Sequence, residues 1–148
     1  MQNPTEQDDL KWSRVGLRIT SSTIDPVDIG KQLGLEPTKT HVKGSLRSPR
    51  HKAVWPTSLW SLNSPLSDQS DMADHLRYFL DLLEPRQRAL NGLAKDCMID
   101  LFCGFSSGNG QGGFVLDPST LSRLAALRIT LVFDLYPPSV STEDTGEE

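Results

Sequence analysis

Hydrophobic residues recur along this chain with two different periods, and each change of period marks the edge of an element. In WSRVGLRITSS, Val15, Leu17 and Ile19 alternate with Gly16, Arg18 and Thr20, the period-two pattern of a half-buried strand. Asp25-Pro26 then supplies an N-cap and a first-turn proline. Ile29, Leu33 and Leu35 are the apolar positions of a short helix, with Gly34 as its stop. From 36 to 56 the periodicity lapses, and the stretch reads as a long surface loop. Residues 57–62 read as a second strand.

Asp68, Asp71 and Asp74 place negative charge in the first turns of the next helix, where its dipole favours them. Met72, Leu76, Phe79, Leu80 and Leu83 form the apolar stripe. Pro85 falls inside this periodicity, and a mid-helix proline kinks or breaks a helix. Because Leu76, Leu83 and Leu90 keep one heptad, with Leu93 behind them, the spacing predicts one kinked helix rather than two. Alternation then resumes, with Cys97, Ile99, Leu101, Cys103 and Phe105 on one face. A glycine run and Phe114-Val115-Leu116 follow. Asp117-Pro118 opens another short helix, with Leu121, Leu124 and Leu127 apolar. The last strand carries Ile129, Leu131, Phe133 and Leu135 on its inward face.

The two Asp-Pro helices align as a weak internal repeat, matching Ile24 with Leu116, Ile29 with Leu121 and Leu35 with Leu127. Two strand-flanked helices capped alike predict an α+β fold, a ferredoxin-like or related two-layer sandwich. Its sheet is expected to be mainly antiparallel, of about four to five strands, with the long helix inserted between two βαβ-like halves. A single domain is expected over 12–136, between a disordered N-terminal segment, 1–11, and a disordered acidic tail, 137–148.

Composition narrows the class. A chain of 148 residues, 36% apolar and 23% charged, suits one soluble domain. Nothing approaches the run of about 18 apolar residues that a membrane span needs. The first dozen residues have no apolar core for a secretory signal, so a cytoplasmic setting is expected. Cys97 and Cys103 on one strand would sit roughly 20 Å apart, too far to bridge, and read as free thiols. Neither they nor the histidines at 41, 51 and 75 have metal-ligand spacing, so no metal is expected.

The net charge of −4 argues against wholesale nucleic-acid binding. Yet no acidic residue stands between Glu36 and Asp68, a window holding Lys39, Lys43, Arg47, Arg50 and Lys52 with His41 and His51. Cations near Trp55 and Trp60 suit a phosphate, an acidic protein or single-stranded nucleic acid. The charges are too sparse for a nucleic-acid footprint.

Gly108, Gly110 and Gly113 spell G-x-G-x-x-G, with Asp134 about twenty residues on. In the dinucleotide motif the helix opens within the glycines. Here Phe114-Val115-Leu116 intervenes, and no lysine completes a phosphate loop. The segment therefore reads as a hairpin or wide loop tipped at Asn109-Gly110, and no cofactor is expected. Cys103 with a histidine would make a nucleophilic pair, but a thiol in an apolar strand is ordinarily inert core. Asp100 lies on the opposite face, and would line a pocket with Asp134 if their strands pair.

The blocks LGLEPTKTHVKGS, LWSLNS, HLRYFLDLLEP, DLFCGF, GGFVLDPSTLSRLAAL and FDLY occur in that order. Together they resemble the bacterial family catalogued as domain of unknown function 4279, over about 15–136. Positions matching the family pattern are Pro37, Thr38, Lys43, Gly44, Trp60, Asp100, Cys103, Gly113 and Phe114. Arg128 departs from it, standing where a small residue is commoner. The resemblance implies a compact α+β domain without an assigned activity or catalytic residues.

Together these features predict a non-enzymatic binding module, contacting an unknown protein or a small anionic ligand through the basic loop and the glycine loop. An immunity-protein-like role is an analogy only. The candidate binding residues are Thr38, Lys43, Arg47, Trp60, Asp100, Cys103, Asn109 and Gly113. The alternative is a small enzyme or a nucleotide- or phosphate-binding protein using the loop from Gly104 to Gly113.

Overall fold

The computed structural model describes residues 11–108 and 110–137, and for His51 only the backbone. Apart from Lys11 and Pro137, the ends expected to be disordered lie outside the described residues, as does Asn109. The elements, in chain order, are β1 (Trp12–Ser21), α1 (Pro26–Leu33), β2 (Lys39–His41), β3 (Leu46–Ser48), β4 (His51–Val54) and β5 (Ser58–Asn63). After these come α2 (Met72–Leu83), a 3-10 turn (Glu84–Arg86), α3 (Gln87–Leu93), β6 (Met98–Ser106), α4 (Pro118–Leu127) and β7 (Thr130–Tyr136).

Local chemistry sets these boundaries. The Asp25 carboxylate accepts from the Val27 N–H at the start of α1, and Gly34 ends the helix in the left-handed region at φ 68°. Asp117 caps α4 in the same way through the Thr120 N–H. At Pro85 the chain divides into α2 and α3, joined by the 3-10 turn, instead of running on as one kinked helix. Arg86 leaves helical geometry at φ −108°, ψ 16°, while Leu90 and Leu93 still reach the core.

The strand order of the five-stranded sheet is β2-β5-β1-β6-β7. β1 pairs antiparallel with both β5 and β6, β2 pairs antiparallel with β5, and β7 runs parallel to β6. Hence β1-α1-β2 straddles β5, while β5-α2-α3-β6 straddles β1. Two interleaved split βαβ units are the ferredoxin-like arrangement. The long helical segment lies between the two Asp-Pro helices in sequence, and in space it is the crossover from β5 to β6. α4 and β7 extend the sheet by one parallel strand.

The helices pack on one face, where Leu17, Ile19, Trp60, Leu101 and Cys103 meet Ile29, Leu76, Phe79, Leu83, Leu93 and Leu127 in a single core. Arg14, Gly16, Arg18, Ser61, Asn63, Asp100 and Phe102 lie on the other face, which carries no helix among the described residues. Two expectations change. The stretch from 36 to 56 is a strand-bearing excursion: β2 joins the main sheet, and β3 and β4 form a separate two-stranded sheet. Its side chains are mostly solvated, so backbone pairing left no hydrophobic period to read. On β7, Phe133 and Leu135 turn toward the helix side, in register with Cys103 and Phe105, but remain 41% and 66% exposed. No helix among the described residues covers that corner. Among the described residues no helix is long and apolar enough to cross a membrane.

Candidate functional site

The β2–β4 excursion is built from turns and hydroxyl clamps. Gly44 adopts φ 84° and donates its N–H to the Trp55 carbonyl, while the Trp55 N–H returns to Ser45 O at 2.9 Å. The Ser45 hydroxyl donates to Val42 O at 2.6 Å, and Ser58 Oγ accepts from the Lys43 N–H at 2.9 Å. Leu46 pairs with Val54, and the register slips before Ser48 meets His51. The Trp55 ring then stacks on His41 at 3.7 Å between centroids, and the Arg47 guanidinium lies 4.8 Å from the same indole. Burial, with Lys39 next and Arg47 adding to it, pushes the His41 pKa down, so the stacked imidazole stays neutral at neutral pH.

Charge is unevenly neutralised over the molecule. Arg14 pairs with Asp68, Arg18 with Asp100, Arg77 with Asp74, and Arg123 with Asp81 and Glu84. On the excursion, Lys39, Arg47, Arg50 and Lys52 have no ion pair among the described residues, because the segment has no acid of its own. Val42, Leu46 and Val54 are exposed among them.

The residues singled out from sequence occupy very different places. Thr38 sets the β2–β5 register, its N–H bonding Ser61 O and its hydroxyl accepting from the Asn63 N–H. Lys43 reaches back to the Ser22 carbonyl at 3.3 Å. Trp60 and Cys103 are in the core, and burial, reinforced by the Asp100 charge, pushes the Cys103 thiol up to about 12. It is therefore not a thiolate nucleophile at neutral pH. Asp100 is held on the open face by two bonds from Arg18, at 2.8 and 3.0 Å. It shares that face with Asp134 on the neighbouring strand, four residues out of register at about 13 Å, so the two do not meet.

Gly113 lines a crevice of about 700 Å³ with Phe105, Phe114, Phe133 and Leu135. Asn109, expected at the loop tip, lies outside the described residues. Gly104 belongs to β6, and the chain runs from the glycines into α4 as part of a parallel crossover, not a hairpin. The Asp117 carboxylate already occupies the N-terminus of α4, and the Thr120 N–H holds its pKa below the usual range. A phosphate approaching that helix end would meet a fixed negative charge. Among the described residues no group of three or more His, Cys, Asp or Glu is placed to hold a metal.

Sheet order separates the two loops. The basic excursion borders β2, the glycine segment borders β7, and β5, β1 and β6 lie between, on the order of 19 Å across. They do not form one patch. Arg14, Gly16, Arg18 and Asn63, none of them a candidate binding residue from sequence, instead converge on the open face, in a trough that also reaches the buried His75. Strand alternation marked Gly16 and Arg18 only as the positions opposite Val15, Leu17 and Ile19. The family model described as Domain of unknown function (DUF4279) matches residues 11–138. Neither a curated protein nor a solved structure gives a significant match.

Proposed function

The chain belongs to the DUF4279 family, and from that premise, which brings no activity with it, we propose a non-enzymatic binding module that engages an acidic protein through the β2–β4 excursion. The observation that carries this reading is a run of cations without ion pairs on a segment that has no acid of its own. Arg14, Arg18, Arg77 and Arg123 each hold a carboxylate elsewhere in the fold, whereas Lys39, Arg47, Arg50 and Lys52 stand close together in sequence and hold none among the described residues. An unneutralised cationic patch steers and orients an anionic partner.

Preorganisation supports it further. Trp55, fixed by His41 and Arg47, offers a rigid aromatic surface beside exposed Val42, Leu46 and Val54. Tryptophan and arginine are the residue types that carry most energy in interfaces. A cytoplasmic setting accords with the free thiols of Cys97 and Cys103.

Titration of the ¹⁵N-labelled chain with poly-L-glutamate tests the reading. Shifts confined to the Trp55 indole and the amides of 39–55, and abolished by Arg47→Glu with Lys52→Glu, are expected. Shifts spread evenly over the surface, or absent at low salt, would overturn it.

A further inference from the structure

We infer that the open face of the sheet holds a separate site, centred on Gly16, for a small planar organic anion. This site does not draw on the excursion. A trough of about 530 Å³ runs from Phe102 and Tyr136 across Gly16 to the gap where the chain leaves β5 at Ser64. That volume lies in the range of small-molecule sites. Strand register fixes its centre: Gly16 stands between Arg14 and Arg18 along β1, and between Asn63 and Phe102 across the sheet. A Cβ on residue 16 would come within 3.1 Å of Asn63 Oδ1, so any larger side chain would fill the depression.

The two arginines of the trough keep hydrogen-bond donors to spare. Asp68 and Asp100 accept from Nε of Arg14 and Arg18, and pair with Nη2 of each. The third nitrogen of each guanidinium, Nη1, has no hydrogen bond to a described residue. His75, 1% exposed, borders the same cavity, with Nδ1 2.7 Å from Ser64 Oγ. The two Nη1 groups are thus donors without a partner among the described residues, and a ligand that brings acceptors, as a carboxylate or phosphate does, complements them.

Flatness gives the rest of the ligand. The Arg18 guanidinium carbon sits 4.2 Å over Phe102 and that of Arg14 4.6 Å over Trp12, whose ring is 5.0 Å from Tyr136. A planar ring extends such stacking, whereas a saturated one does not.

Benzoate titration tests the site, read at the His75 ring nitrogens and the Trp12 indole in ¹⁵N spectra. AMP in a parallel arm distinguishes phosphate from carboxylate as the anion. Saturable shifts at both reporters with either probe are expected, with affinity reduced about tenfold by Gly16→Val and by Arg18→Met, the scale of one charge-assisted hydrogen bond or one filled contact. Cyclohexanecarboxylate should bind more weakly than benzoate. No shift with either probe would overturn the inference, and so would affinity unchanged in Gly16→Val. Asn63 can swing away from the new side chain, and an unchanged core spectrum reports that the variant is folded.

Discussion

Trp55 lies on His41 with ring centroids 3.7 Å apart and planes 6° from parallel. His41 ends an edge strand of the main sheet, and Trp55 leaves the β3–β4 hairpin, so this contact fastens the hairpin to the domain. An isolated two-stranded hairpin is marginal in water. Trp55→Ala is therefore expected to cost about 1–2 kcal/mol, and hydrogen exchange gives the sharper readout. Amides of 44–54 should lose protection while those of β1 and β6 keep theirs. Equal loss throughout would mean that the stack supports the core, not the excursion.

Acid should weaken the fold in a defined window. Burial is the largest cause lowering the pKa of both His41 and His75 from the ordinary 6.5. A histidine with a depressed folded-state pKa binds its proton more readily when unfolded. Stability is then full above the unfolded value and falls as pH drops below about 6.5. Urea midpoints measured from pH 8 to 5 should decline across that interval, before the carboxylates titrate. A flat profile would contradict the neutral buried imidazoles.

The Arg18–Asp100 pair should contribute more than a surface ion pair. It is bidentate, its side chains are 37% and 18% exposed, and Arg18 also covers Phe102. Arg77–Asp74 is a single contact with side chains 61% and 49% exposed. Double-mutant cycles should give a coupling of about 1–2 kcal/mol for the first and under about 0.5 kcal/mol for the second. Equal couplings would remove the case for a fixed open face.

Arg128 carries backbone strain. It caps α4 at φ 57°, ψ 37°, the conformation that Gly34 adopts at the end of α1. A branched-off Cβ is disfavoured there, so Arg128→Gly is expected to stabilise by about 0.5–1 kcal/mol. The greater freedom of glycine in the unfolded chain limits the gain. A loss of stability on denaturant unfolding would show that the arginine side chain compensates for its backbone.

The fold was legible wherever burial imposes a period. Val15, Leu17 and Ile19 announce β1, the leucines announce the helices, and Asp25-Pro26 and Asp117-Pro118 mark two helix starts that the structure caps as expected. Where a strand buries little, the signal fails, so β2 to β4 passed for a loop. Phe133 and Leu135 misled in the opposite sense: they keep the alternation of a covered strand at a corner that no helix covers among the described residues.

The excursion's chemistry was visible as a run without acids, because charge needs no tertiary information. The trough was not. Gly16, Asn63 and Phe102 are distant in sequence and meet only through strand register.

Affinity purification of the tagged chain from its native cell tests the excursion most directly, comparing wild type with Arg47→Glu/Lys52→Glu and with Lys31→Glu/Arg88→Glu. The two variants change net charge equally, but only the first alters the excursion. A stoichiometric acidic partner is expected with wild type and with the second variant, its affinity falling about tenfold or more in the first, on the scale of desolvated charge pairs. Equal weakening by both variants, or equal retention, would contradict a partner held by the β2–β4 excursion.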